Sequence, residues 1–237
     1  MGVLEKIIDK QISAWEQARR KAVAAGSDDF PPPQIITVSR ASGSRGMYLA
    51  HKLAEKLGYQ LLTREHIDYM ATSAENRERI KASLDDESRK RLTLAMKRLR
   101  PFPSTVNQYA RNLYETILPM ARLGGVLLVG RGANFIFGLK RGFHIRVVCD
   151  LDRRIENYVK HASVSPEEAA RLIEKSDKER RKFVKKLFDA DIDDPDHYDI
   201  VINSEYVDFE ELIPGLVATY RSKMNKLKRM HREGLLH

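Results

Sequence analysis

The chain has 237 residues, 42% of them apolar and 32% charged, which suits one well-buried soluble domain with additions rather than a disordered chain. No apolar run approaches the length of a membrane span, and the charged start MGVLEKIIDKQ lacks a secretory core, so a cytoplasmic protein with no membrane partner is expected. The single cysteine, Cys149, excludes an internal disulfide, and 42 basic against 33 acidic residues, net +9, favour anionic partners.

Residues 3–25 read as a helix, with Leu4, Ile8, Ile12, Trp15, Ala18 and Ala22 on one stripe that packs on the core or on a second subunit; a homo-oligomer through this helix is the second expectation. Gly26 to Pro33 then forms a stiff linker, closing a first unit at residue 34. Beyond it, short apolar runs alternate with helical periodicity. Strands are expected at 35–39, 59–62, 126–130, 143–149 and 199–203. Helices are expected at 47–57, 64–75, 78–98, 108–122, 152–161 and from Ser165 to about 188, with a last one beginning at Asp208 and running into the basic tail. The segment PFPST, 101–105, reads as a break.

Strands separated by helices predict an α/β fold of three layers, a five-stranded parallel sheet with helices on both faces. Ligands of such sheets bind beyond the carboxyl ends of the strands. The first of those loops reads Ser39-Arg40-Ala41-Ser42-Gly43-Ser44-Arg45-Gly46-Met47. Small residues between a strand and a helix let main-chain N–H groups converge on an anion, and the helix points its positive end there. Laid over this loop, the pattern G-x-x-x-x-G-K-[ST] puts Arg40, Arg45, Gly46 and Met47 at its four defining positions, none of which matches. Arg40 and Arg45 offer guanidiniums instead of the ammonium.

ITVSRASGSRG with LAHKLAEKLGYQLLTREHI, VLLVGRGANFIF (126–137), and DKERRKFVKKLFDADIDDPDHYDIVINS (177–204) together resemble the cytidylate kinase-like proteins, relatives of bacterial cytidylate kinase with an altered phosphate loop. The resemblance covers about residues 35–220. It implies a P-loop NTPase-like fold with a helical lid at about 152–190 and an acceptor region, leaving 1–34 and the basic tail 221–237 outside. It implies ATP as phosphoryl donor, Mg²⁺ as its companion and a nucleoside monophosphate as acceptor. Carried onto these positions, Arg40, Ser42, Gly43, Ser44, Arg45 and Gly46 cradle donor phosphates, Arg131 holds the acceptor phosphate, and Arg154 and Arg180 act from the lid beside Arg45 in catalysis. Gly132 stands where true cytidylate kinases carry Asp, which leaves base recognition open.

Each of these residues also has a plainer reading. Asp177–Arg181 and Glu174–Lys178 have the spacing of solvated helix pairs; Arg153 lies beside Arg154. Asp152 is placed to cap the helix at 153–161, Cys149 to sit in a buried strand, and His66 to be an exposed helix-start residue; Asp150, Asp199 and Asn203 could approach a metal, and no metal ligand set is assigned. The alternatives to a transferase are a nucleotide sensor that binds without transfer and, on net charge alone, a nucleic-acid binder. The basic stretch 77–100 has no aromatic residue on which bases could stack, so nucleic acid is not the expected partner.

Overall fold

In the computed structural model, residues 3–24, 35–98 and 108–235 are described. The linker at 25–34 and PFPST lie outside them. The hub is β1 (Ile35–Arg40), whose alternate residues serve opposite faces of the sheet. The other strands are β2 (Gln60–Leu62), β3 (Val126–Val129), β4 (Phe143–Val148) and β5 (Ile200–Asn203), all parallel, in the order β2-β3-β1-β4-β5. β1 is therefore central, and the strand order reverses direction on either side of it, which opens a crevice at its carboxyl end.

Ile36 and Val38 face α2 (Gly46–Leu57) and α10 (Phe209–Arg232), with Leu49, Leu53, Phe209, Leu216 and Tyr220 in that layer. Ile35 faces the other layer, which contains α1 (Val3–Ala24), α3 (Arg64–Thr72), α4 (Ala74–Ala82), α5 (Asp86–Arg98), α6 (Gln108–Leu123) and α7 (Ala133–Phe137). The expected three-layer α/β fold with five parallel strands is what forms. Ile8, Ile12 and Trp15 of α1 are buried in this second layer, and the Trp15 indole donates to Gly124 O at 3.1 Å. These three stripe residues are thus covered within the chain itself.

α8 (Leu151–Ala162) and α9 (Pro166–Phe188) form a hairpin at the carboxyl end of β4. Ser165 caps α9 by accepting from Glu168 N, with Pro166 in the first turn, as the sequence predicts. α10 runs on to Arg232, so the basic tail is helix as far as that residue, and Met224 is buried in the core.

Four local expectations change. The helix read at 78–98 is two, because Ser73 caps α4 through Asn76 N, and Asp85 accepts from Ser88 N at 2.7 Å to start α5. The five-residue α7 is too short to show a period. The cap of α8 is Asp150, which accepts from Asp152 N, so Asp152 is the second residue inside the helix rather than its cap. Cys149 lies just past β4 and is half-buried, because the strand ends one residue earlier than the apolar run does.

Candidate functional site

β1 carries Arg40 to the crevice and then turns. Ala41 N donates to Val147 O and the Ser44 hydroxyl to Ala41 O at 2.9 Å, so the loop is pinned to β4 and closed on itself. From the other side, the Ser204 hydroxyl at the end of β5 donates to Ser44 O at 2.8 Å. The turn ends at Arg45, in the left-handed region with φ 59°, and α2 begins at Gly46 without a side-chain cap, leaving its first amides for another acceptor.

Gly46 occupies the position where the common pattern has lysine. A Cβ built there would lie 2.6 Å from Arg40 Cβ and 3.2 Å from Arg40 Cγ. The stem of Arg40 therefore fills the space in which a side chain at 46 would start. An arginine at 40 and a glycine at 46 are two halves of one substitution: the cation reaches the crevice from the end of β1 instead of from the start of α2.

The Arg40 guanidinium borders two cavities. The larger, about 340 Å³, lies beyond β1 and β3, and its cationic walls are Arg40, Arg64, Arg131 and Arg180, facing Phe135 and Phe183. Glu65 and Glu179 are its carboxylates, with Ser39, Ser176 and Asn134 as neutral polar groups. The smaller, about 140 Å³, lies between the loop and the α8–α9 hairpin and is lined by Arg40, Arg146, Arg154, Arg180 and Arg181 with Asp177 and Asp193. Arg40 has no hydrogen-bond or ion-pair partner among the described residues. Burial, and then the nearby Arg180, Arg146 and Arg64 charges, pull its pKa down to about 10 against the opposing charge of Glu65, so it still carries its charge at neutral pH. An unpaired guanidinium among other cations is an unfavourable arrangement unless an anion joins it.

The other arginines have found anions within the chain. Arg131 follows β3 in a run of three left-handed residues, Gly130, Arg131 and Gly132. Its guanidinium is forked onto Asp68 of α3, with Nε donating to Oδ1 at 2.6 Å and Nη2 to Oδ2, and the Tyr109 hydroxyl also donates to Asp68 Oδ1 at 2.6 Å. The same guanidinium lies over the rings of Tyr109 and Phe183. It is not free in solvent: it lines the larger cavity with its fork held by Asp68. Arg154 and Arg180 both donate to Asp177. Arg181, expected to pair with Asp177, reaches Asp193 instead, because Asp177 lies on the buried stripe of α9 with Ala169, Ile173 and Val184, whereas Arg181 is on the exposed side. Arg153 is exposed and pairs with Glu156.

Arg45 is exposed and lines neither cavity; its guanidinium carbon is 5.3 Å from the ring centres of both Tyr48 and Phe209. Ser42 and Ser44 are buried, and Gly43 is pressed against the lid, where its carbonyl accepts from Asn157 Nδ2 at 3.0 Å. His66 is not exposed as expected. It completes a capping box with Thr63, its Nδ1 accepting from Thr63 N, and burial holds its pKa below the usual value. Asp199 is engaged by His144 N and Lys223, and Asn203 caps a turn through Glu205 N.

Three residues of the site escaped the sequence reading. Asp68 and Asp177 are partners 63 and 135 residues away from the groups they bind, Arg131 and Ser42 N. Arg146, on β4, is buried and spans Ser39 Oγ and Asp193. A charge inside an apolar strand run, and a carboxylate in register with the apolar stripe of α9, are the signals that would have pointed to two of them.

A family model described as the cytidylate kinase-like family matches residues 35–206. The chain belongs to that family. The match takes in the loop after β1, the arginine loop after β3 and the lid, all of which lie around the crevice. Among solved structures, an uncharacterized protein from Eubacterium ventriosum shares the fold at a TM-score of 0.64 and 22% identity, over 80% of this chain and 99% of that one. A shikimate kinase from Bacteroides thetaiotaomicron, 13% identical over 77% and 95% of the two chains, gives a TM-score of 0.41, too distant to bear on activity. A curated relative, the uronate isomerase of Corynebacterium glutamicum, is 26% identical over 117 residues, 49% of this chain and 23% of that enzyme. This chain thus matches under a quarter of that relative's length. No helix among the described residues is long and apolar enough to cross a membrane.

Proposed function

We propose that this kinase-like protein is a phosphotransferase that moves the γ-phosphoryl group of ATP to a nucleoside monophosphate. The observation that carries the reading is Arg40: a charged guanidinium, without an ion-pair partner among the described residues, set between a loop suited to phosphate and a cavity of about 340 Å³, large enough for a mononucleotide. Donor phosphates lie on the loop 40–46 and the uncapped start of α2. The acceptor enters the larger cavity, its phosphate toward Arg40, Arg64 and Arg180 and its base toward Phe135 and Phe183. Arg131 supports that cavity through Asp68 rather than contacting the acceptor phosphate directly.

In the reaction an acceptor phosphate oxygen forms a bond to the γ-phosphorus, the bond from that phosphorus to the β-bridging oxygen breaks, and ADP leaves. Charge spreads over the transferred group, and fixed cations are what stabilise it. Arg40 and Arg180 border both cavities and are the residues placed to do so. Mg²⁺ would enter on the nucleotide. The loop offers no ready seat for it, since the Ser44 hydroxyl is turned to Ala41 O and Asp199 is held by Lys223, so no step is assigned to the metal.

Incubation with ATP, Mg²⁺ and a panel of nucleoside monophosphates should yield a nucleoside diphosphate, and Arg40→Met should slow its formation by roughly 100-fold or more. Absence of any diphosphate, with nucleotide bound, would leave the second reading, a sensor that binds without transfer. Gly46, which supplies no ammonium, is the observation in its favour.

A further inference from the structure

The loop after β1 already holds an anion, and that anion belongs to the lid. Asp177 is only 9% exposed and lies in register with the apolar residues of α9. A carboxylate there has lost its water and needs donors. It has three: Ser42 N at 2.9 Å and Arg180 at 3.2 Å on one oxygen, and Arg154 at 2.5 Å on the other. A main-chain amide at a strand-to-helix turn and two guanidiniums form the donor set that phosphate oxygens take.

The surroundings are over-supplied with positive charge. The cavity of about 140 Å³ beside this carboxylate has Arg40, Arg146, Arg154, Arg180 and Arg181 on its walls against Asp177 and Asp193. The Nε groups of Arg146 and Arg154 are buried without an acceptor among the described residues. The contact also fixes the lid. The Arg154 side chain reaches Ser42 O, and a Cβ built on Gly43 would lie 2.5 Å from the Arg154 main-chain oxygen, so α8 rests directly on the loop.

We propose that the Ser42 amide, Arg154 and Arg180 form a phosphate seat whose resident occupant is Asp177, and that a nucleotide phosphate binds by displacing this carboxylate. This rests on the nucleotide reading above and adds to it an internal competitor. Phosphate binding and withdrawal of Asp177 are then one equilibrium, and the affinity measured is the intrinsic affinity reduced by the fraction of molecules with the seat free. Ligand arrival moves α9 because α9 carries the competing charge.

The test is calorimetric titration of the full chain with Mg·ATP, and separately with inorganic pyrophosphate, at one fixed salt concentration. Asp177→Asn keeps the size of the side chain and removes its charge. Asp193→Asn removes a carboxylate from the same arginine group without touching the loop amide. Asp177→Asn should bind both probes about tenfold more tightly than wild type, and Asp193→Asn by about threefold at most. Asp177→Ser, with a shorter side chain, is the second variant should the first not fold, with the same gain expected. Equal gains in the 177 and 193 variants would reduce the effect to general charge and overturn the seat. Wild type that binds Mg·ATP with no gain in either 177 variant overturns the seat and leaves the nucleotide reading standing. No binding of Mg·ATP by any of these proteins removes both.

Discussion

Two groups of arginines meet at the end of β1, and the chain treats them differently. On the lid side, Arg154 and Arg180 converge on Asp177, and Arg146 and Arg181 on Asp193. On the cavity side, Arg131 is locked to Asp68, but the Arg40 guanidinium has no hydrogen bond or ion pair among the described residues, only the field of Glu65, and Arg64 has a 3.7 Å contact with the same Asp68. Both groups lie in the same crevice and carry the same charge. The difference separates arginines held by carboxylates within the chain from one that has no ion-pair partner among the described residues. Residue type and position in the family motif do not make that distinction; partners do.

The largest effect should come from Arg40. Arg40→Met keeps the stem that fills the space beside Gly46 and removes the charge. Phosphoryl transfer should fall by roughly 100-fold or more, as expected for loss of one fixed cation at a transferred group. Stability should move the other way. The folded-state pKa of Arg40, about 10, lies below its ordinary value, so at every pH below about 10 the folded chain bears the penalty of keeping this group charged. Arg40→Met should therefore raise the denaturation midpoint, by about 1 kcal/mol of stability. A variant that loses both activity and stability would make Arg40 an ordinary structural arginine and dissolve the contrast.

Arg131→Met tests the opposite case. It strips Asp68 of its forked partner and leaves that carboxylate against the Tyr109 hydroxyl and the distant Arg64. Unfolding stability should drop by about 2–3 kcal/mol in a denaturant titration, with acceptor KM affected only through the shape of the cavity. Asp68→Asn should lose a similar amount, and the double variant little more than either single one, since one interaction is removed in all three. Additive losses would mean that the fork is not the unit described.

These pairs also mark what the sequence could show. Short apolar runs and helical stripes are local, and they placed five strands, the central loop and the helices α8 and α9 within a residue or two. Ser165 and Pro166 announced the start of α9 for the same reason. Asp68 with Arg131, and Asp177 with Ser42, are set by how α3 and α9 dock on the sheet, which no window along the chain contains. The i,i+4 rule even gave Asp177 the wrong partner: spacing allows Arg181, but the buried face of α9 turns Asp177 to the loop. The glycine at 46 was legible as a missing lysine; that Arg40 fills its space was not, because strand and helix first meet in three dimensions.

His144 provides a pH handle beneath the crevice. It is fully buried on β4, bonded to Thr37 Oγ1 and Gly138 O, and burial lowers its pKa to about 4. The folded value lies below the unfolded one, so the neutral ring's contribution is complete above about pH 6.5 and is lost as pH falls toward 4. Thermal midpoints should decline over that window in wild type and much less in His144→Gln.

The smallest and most discriminating comparison is between neighbours on α9. Arg180 is partly buried, bonded to Asp177 and to Arg40 O, and its pKa is pulled down chiefly by burial. Arg181, one residue on, is 57% exposed and reaches a half-exposed Asp193. An exposed pair of that kind contributes about 0–1 kcal/mol, so Arg181→Ala should shift the denaturation midpoint barely at all. It should also leave the ratio of kcat to KM within about threefold, because its charge is screened by water. Arg180→Ala removes a donor from the seat of Asp177 and a cation from both cavities, and should lower kcat while acting on KM for both nucleotides. Equal behaviour of the two variants would show that the crevice responds to total positive charge and not to which guanidinium faces the transferred group.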